Sequence, residues 1–262
     1  MRLITLLAWS LLIVVFGVQN GESRGGRGGA KYGLFMENVS FVEKGKRVSG
    51  KLCVIPYKDK EGVPGSRWML LRSDSYFARD LGDVNPGFAI VNNVKASPDM
   101  KYLAVETVGE GQGIIDILDL QKLIAGEKVE SLFKISPHPG LVHIVQWKRG
   151  LLMFSSDFFL EQKNNEVQAR HTNLSLVQKE YYYLDMRSQK VIPHNPLLKR
   201  PVTYYSRMLW HRKASVRLNA AIALRTLHAK SALPQLKSVF RRERDARVKE
   251  NLKVTIDYLE GK

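Results

Sequence analysis

The chain has 262 residues, enough for one large or two ordinary domains with a sizeable core. Its single cysteine, Cys53, excludes an internal disulfide, so stability has to come from packing. A formal net charge of +16 favours an anionic partner, whether nucleic acid, an anionic membrane surface or an acidic protein, and carries no information about fold. That charge is uneven: residues 199–262 hold 16 Lys and Arg against 5 Asp and Glu, a net of +11, which leaves +5 for the rest.

Arg2 precedes sixteen uncharged residues, Leu3 to Val18, and polar residues follow. One positive charge, an apolar run and a small-residue exit at Gly17 or Gly21 read as a secretory signal peptide or, with no clean Ala-x-Ala site, as an uncleaved N-terminal anchor over 1–20. The run is a little short for a membrane span, which takes about 20 apolar residues. Either reading delivers the chain outside the cytosol, to the periplasm or the exterior. Residues 21–31 carry two Arg-Gly-Gly steps and are too glycine-rich to order cheaply, so they read as a basic flexible linker. Arg-Gly-Gly steps also occur in RNA-binding tails. Cys53 sits in the apolar run Lys51-Leu-Cys-Val-Ile-Pro56 and reads as a small buried hydrophobe.

From Tyr32 to about 195 the texture is β. Short apolar or alternating runs at 34–39, 48–57, 68–72, 89–94, 102–108, 113–120, 141–146, 151–155 and 180–186 are separated by Gly, Pro, Asn and Asp, and only Leu120 to Ala125 suits a helical turn. This spacing predicts an antiparallel meander, sandwich or propeller. In the run Ala96-Ser-Pro-Asp-Met-Lys-Tyr-Leu-Ala-Val105, Pro98 and Asp99 suit a tight turn, and Tyr102 and Ala104 alternate with Leu103 and Val105. Together with Ile114-Ile-Asp-Ile-Leu-Asp-Leu120, this run is similar to a blade of the TolB-like and prolyl-oligopeptidase-type β-propellers. A blurred second copy runs from Val145 to Phe154 and from Tyr181 to Arg187, with 157–179 as an insertion. About three blades fit into 32–195, whereas closed propellers have about 4 to 8, so an open propeller or a small sandwich is expected.

The loop Gly109-Glu-Gly-Gln-Gly113 is followed by a strand and not a helix, so it reads as a hairpin connection and not a phosphate loop. No Gly-x-Ser-x-Gly elbow is present. His138, His143, His171, His194, His211 and His228 show no metal spacing; His138 and His143 could meet Asp157 across a turn, without a further ligand. No catalytic residue, metal or cofactor is expected. Asn38-Val-Ser40 and Asn173-Leu-Ser175 match the glycosylation sequon.

Prolines 193, 196 and 201 mark a boundary, after which 196–262 reads as helical. Tyr204, Tyr205, Met208 and Leu209 suggest a first helix. Ser231, with Pro234 in the first turn, suggests an N-cap for a helix carrying Leu233, Leu236, Val239 and Phe240. On either side one motif occurs twice, 32 residues apart: Ala214, Val216, Arg217, Ala220, Leu224 and Leu227 match Ala246, Val248, Lys249, Leu252, Ile256 and Leu259. The apolar members fall on one helical face. With its x-x-Val-Arg opening, the pair resembles a short HEAT-like repeat, which implies stacked helices that form binding surfaces. In that family an arginine at the Arg217 position often caps or bridges neighbouring repeats. Arg217, Lys249, Arg241, Arg242, Arg244 and Arg247 are the candidate binding residues, and first-turn cations such as Arg217 and Lys249 oppose the helix dipole.

The expected architecture is α+β and multidomain, with an antiparallel meander or propeller-like domain followed by a short helical repeat module. The expected function is that of an exported, non-enzymatic binding or scaffold protein for a protein partner or an anionic envelope surface. Nucleic-acid binding through the basic helices, and a divergent hydrolase or sugar-binding β domain, are the alternatives.

Overall fold

Alternation of apolar and polar residues, broken at turns, makes the runs of the first sheet, between 35 and 83, half-buried strands. The computed structural model describes residues 35–262 apart from 44, 59, 61, 63, 76–77, 84–89 and 110. The leader at 1–20 and the linker at 21–31 lie outside the described residues.

The first sheet is an antiparallel meander of β1 (Phe35–Glu43), β2 (Lys46–Lys58), β3 (Pro64–Arg72) and β4 (Ala78–Asp83). The second repeats the pattern with β5 (Ile90–Ala96), β6 (Tyr102–Gly109), β7 (Gln112–Asp119) and β8 (Phe133–Ile135). Helix α1 (Leu120–Ala125) lies between β7 and β8. The third holds β9 (Val142–Lys148), β10 (Leu151–Phe158), β13 (Ser175–Asp185) and β14 (Lys190–Pro193). The expected insertion is a hairpin, β11 (Leu160–Lys163) and β12 (Glu166–Ala169), which leaves the third sheet and joins the second through a parallel pairing of β12 with β8. Among the described residues the three sheets do not close into a barrel or propeller.

The first strands of the sheets lie against one another, β1 on β5 and β5 on β9. Hydrogen bonds clip them together. Glu37 Oε1 accepts from the Ala96 amide at 3.0 Å, and Trp147 Nε1 donates to the Lys95 carbonyl at 3.0 Å. Glu106, with only 1% exposure, accepts from the Ile144 amide at 2.7 Å, from Asn92 and from His143. Gly113 permits the close approach of β7 to β9, since a Cβ there would stand 2.9 Å from the Val142 amide nitrogen.

Sheet two is buried on both faces. Leu103 and Val105 point into a core shared with Val39, Leu52, Trp68 and Leu70 of sheet one. Ala104, Ile115 and Ile117 point the other way, into a core shared with Val142, Leu152, Phe154 and Leu184 of sheet three. The turn before β6 is held by Ser97 Oγ, which donates to Asp99 Oδ1 at 2.7 Å and accepts from the Tyr102 amide at 2.9 Å. Asp119 caps α1, and Gln121 Nε2 ties that helix back to the Met100 carbonyl. The 109–113 loop is a hairpin connection, with Gly111 at φ +79°. Cys53 is buried, and burial raises its thiol pKa against the small opposing effect of Lys51, so it is a packing residue.

A 3-10 turn at Pro196–Lys199 leads into α2 (Pro201–Met208), α3 (Ala214–Thr226), α4 (Leu233–Arg242) and α5 (Ala246–Glu260). Ser231 lies in a short 3-10 turn and does not cap; α4 starts from Ala232 without a side-chain cap, with Pro234 in its first turn. The repeat-matched residues Val216, Ala220 and Leu224 of α3, and Val248, Leu252 and Ile256 of α5, are buried as their spacing predicts. They continue the core of sheets two and three without a break. At the junction Tyr204 and Tyr205 are fully buried, both edge-on to Phe159, and the Tyr205 hydroxyl donates to the Ser175 carbonyl at 2.8 Å. Fully burying two tyrosines contributes several kcal/mol of the attachment, at about 25 cal/mol per Å² of apolar surface.

Because helices and sheets share one core, Leu224→Ala should lower stability by about 2–5 kcal/mol and melt the whole unit. Far-UV circular dichroism and near-UV tyrosine signals should move to lower temperature together. A helical step that melts ahead of the β signal would contradict a shared core.

Candidate functional site

The α2–α3 turn (209–213) and the α4–α5 turn (243–245) meet at one end of the helical layer, and a single ion pair joins them. Arg217 Nε and Nη2 donate to the two carboxylate oxygens of Glu243 at 2.7 and 2.8 Å. Arg217 Nη1 also donates to the carbonyls of His211 and Arg212, at 2.9 and 3.0 Å. Glu243 Oε1 accepts in addition from the amides of Arg244 and Asp245, at 3.0 and 2.9 Å. Arg217 thus joins α3 to the turn between α4 and α5, and its guanidinium faces inward. Glu243 is buried; the Arg217 guanidinium first, and the two backbone N–H groups after it, hold its carboxyl below the usual carboxylate range against the opposing effect of burial.

Around this bridge the remaining candidates face solvent. Arg241 and Arg242 end α4, Arg244 stands in the turn, and Arg247 and Lys249 occupy the first turn of α5. Arg212 and Lys213 contribute two more exposed cations from the neighbouring turn. None of these seven forms an ion pair among the described residues. The two carboxylates in the turns are both engaged, Glu243 as above and Asp245 in capping α5 through the Val248 amide at 3.0 Å. Glu250, one turn further along α5, is exposed and makes no ion pair.

Trp210 completes the surface. It is 50% exposed at the tip of the α2–α3 turn, and the Arg242 guanidinium stacks over its ring at 5.8 Å. Lys249 makes a similar contact with Phe240 at 5.5 Å. Trp210, Arg212 and Lys213 were not among the candidates that the sequence suggested. Their signal was a tryptophan one residue beyond an apolar helical stripe, next to two cations. The arrangement is a rigid, water-exposed cationic end with one large amphipathic ring, suited to anions spread over a surface.

The residues considered for metal or acid–base chemistry do not come together. His138 Nδ1 meets Gln112 Oε1 at 3.0 Å, His143 Nδ1 meets Glu106 Oε1 at 2.9 Å, and Asp157 accepts from the Leu141 amide at 2.8 Å. Among the described residues no three His, Cys, Asp or Glu side chains are grouped to hold a metal. Ser155 lies opposite His143 in register, yet no hydrogen bond joins them, so the Glu106–His143 pair acts as a clip between sheets two and three. A cleft of about 200 Å³ between β11, β12, β14 and the 3-10 turn is floored by Leu160, Val167, Tyr182 and Leu198, and its Arg170 is engaged with the Lys199 carbonyl at 3.2 Å.

The pH dependence of the bridge follows from its direction of shift. Folding lowers the Glu243 pKa, so its contribution is complete above the unfolded glutamate value of about 4.3 and is lost as pH falls through the lower folded value. Glu243→Gln should therefore cost about 2 kcal/mol at neutral pH and flatten the fall in melting temperature below about pH 4.3. Parallel curves of melting temperature against pH for the two proteins would contradict this assignment.

No protein-family model matches the chain, and no curated protein matches it.

Proposed function

We propose that this chain is an exported, non-enzymatic binding and scaffold protein in which a propeller-like β domain carries a HEAT-like helical module, and that the cationic end of that module docks on an anionic envelope surface. The observation that carries the reading is the Arg217–Glu243 bridge. It neutralises the carboxylate that would otherwise pair with the arginines around it, and so leaves Arg212, Lys213, Arg241, Arg242, Arg244 and Arg247 facing outward from a fixed frame. Three successive antiparallel meanders with touching first strands, the second extended to six strands by the β11–β12 hairpin, support the open-propeller description. Two helices with matched burial 32 residues apart support the repeat description.

An anionic bilayer surface fits the site better than a compact ligand for two reasons. The cations are spread over two turns and face solvent, which suits a plane of headgroups. Trp210 is an amphipathic ring of the kind that sits at headgroup depth, with a guanidinium on one face. The apolar leader at 3–18, read as a signal or anchor, would bring the chain to such a surface. A periplasmic or secreted location, or retention at the inner membrane by an uncleaved leader, belongs to the same reading.

Each Lys or Arg at an anionic surface contributes about 1 kcal/mol, so changing Arg241, Arg242 and Arg244 together to Ala should weaken co-sedimentation with phosphatidylglycerol vesicles on the order of a hundredfold at low salt. Phosphatidylcholine vesicles should not bring the protein down, and Trp210 fluorescence should shift to the blue only with the anionic vesicles. Unchanged sedimentation of the triple variant would remove the cationic end from the account. Tighter, salt-steep binding to a single-stranded oligonucleotide would favour the nucleic-acid alternative instead.

A further inference from the structure

The outer face of sheet one carries a row of sulfur. Antiparallel register, unbroken along both pairings, sets Met36 of β1 opposite Cys53 of β2, and Cys53 opposite Met69 of β3. Directly opposed residues of an antiparallel pair project to the same face, with Cβ atoms about 4.5–5.5 Å apart. That face is turned away from the core shared with sheet two, because the alternate positions Leu52, Val54, Trp68 and Leu70 are the ones that enter it. The chain's single cysteine therefore has a thioether on each side.

The row is closed at its centre and open at one end. Cys53 is 3% exposed, Met69 is half-buried, and Met36, on the edge strand of the sheet, is 43% exposed. The Cys53 thiol is free and makes no hydrogen bond among the described residues. Packing accounts for a buried cysteine, but not for Met36. Exposed strand positions favour β-branched and polar side chains, such as the Asn38, Ser40 and Val42 that follow it on the same face, over a flexible thioether.

Thiolate and thioether sulfurs are soft donors that suit Cu(I). Charge narrows the choice further. Burial raises the Cys53 pKa because a bare thiolate is charged. A thiolate bonded to a monovalent cation is neutral, so the same burial does not oppose it, whereas a divalent ion would leave an uncompensated charge. The carboxylate next in the row, Asp80 opposite Met69, does not offset such a charge, since it is engaged by Arg67 Nε at 3.0 Å.

We propose that Met36, Cys53 and Met69 form a three-sulfur site for one Cu(I) ion on the outer face of sheet one, entered from the Met36 side. On binding, the Cys53 S–H bond breaks, the proton passes to water and the thiolate bonds the metal; the two thioethers donate lone pairs, and no electron changes hands. The ion arrives already reduced, as a Cu(I) complex with a small soft ligand. The site stands on sheet one alone and does not depend on the vesicle result.

The test is an NMR titration of the full chain, carrying methyl-labelled methionine, with Cu(I) supplied from a competing chelator such as bicinchoninate and with Ag(I) as a redox-silent second probe. One equivalent should bind per chain. The methyl resonances of Met36 and Met69 should shift together, those of Met100, Met153, Met186 and Met208 should stay, and Zn(II) should move none of them. Met36→Leu combined with Met69→Leu conserves volume, so it should leave the circular dichroism spectrum unchanged while weakening Cu(I) binding at least about tenfold. Cys53→Ser should abolish binding. Unmoved Met36 and Met69 methyls at one equivalent of metal, full Cu(I) affinity in the double leucine variant, or binding of one ion between two chains would each overturn the proposal.

Discussion

A buried carboxylate holds the helical layer to its own geometry. Glu243 is taken out of water, a step that costs several kcal/mol for an ion without partners, and it is compensated by four N–H donors: two from Arg217 and two from the backbone of its own turn. Arg217 in turn reaches the carbonyls of His211 and Arg212. Replacing the pair with apolar residues would leave those carbonyls and amides to find other partners. The pair therefore contributes definition more than net stability: it fixes the spacing of two turns that hydrophobic packing alone would let slide, and with it the positions of every exposed cation around them.

The same preference for specific clips over closure governs the β region. The three sheets touch along their first strands, β1, β5 and β9, joined through Glu37 and Trp147 and through Glu106 reaching from β6. Apolar faces left over from these contacts have to be covered if they are not to meet water. Beside sheets two and three the shared core is completed by Val167 of the β11–β12 hairpin, and by Tyr204, Tyr205 and the buried stripes of α3 and α5. The helices are thus part of the same core as the sheets, which is why their boundary in the sequence, at prolines 193 to 201, coincides with a last strand pairing at Lys190–Pro193 and a continuous apolar cluster.

What could be read in advance divides along physical lines. The α3 and α5 helices were legible because a 3.6-residue period repeated at a fixed interval leaves one interpretation for Val216, Leu224, Val248 and Ile256. The nine anticipated strands were legible from alternation. The short strands β4, β8, β11, β12 and β14 were not, because a strand of three to six residues carries too little pattern to separate it from a loop, and the parallel pairing of β12 with β8 joins segments distant in sequence. Ser231 was misread as a cap because a 3-10 turn displaced the start of α4 by one residue. At the cationic end the arginines were visible and Glu243 was not, since a carboxylate among arginines looks like one more surface charge until the fold buries it.

Charge placement separates the two ends of the helical layer. At the C-terminal end of α5 Glu260 pairs with both Lys237 and Lys262, so where pairing is possible the chain uses it. At the opposite end neither α3 nor α5 has an acid in its first turn, while Arg217, Arg247 and Lys249 sit there against the dipole. Each exposed cation so placed costs a few tenths of a kcal/mol, roughly 0.3–1. At the exposed positions, Arg247 and Lys249, an acidic residue would be locally more favourable and compatible with the same packing, because those side chains point to solvent, whereas Arg217 faces inward to Glu243. Stability alone therefore does not account for a cluster of unpaired cations around a tryptophan on a frame that a buried ion pair keeps rigid. The anionic surface proposed above would supply the missing negative charge.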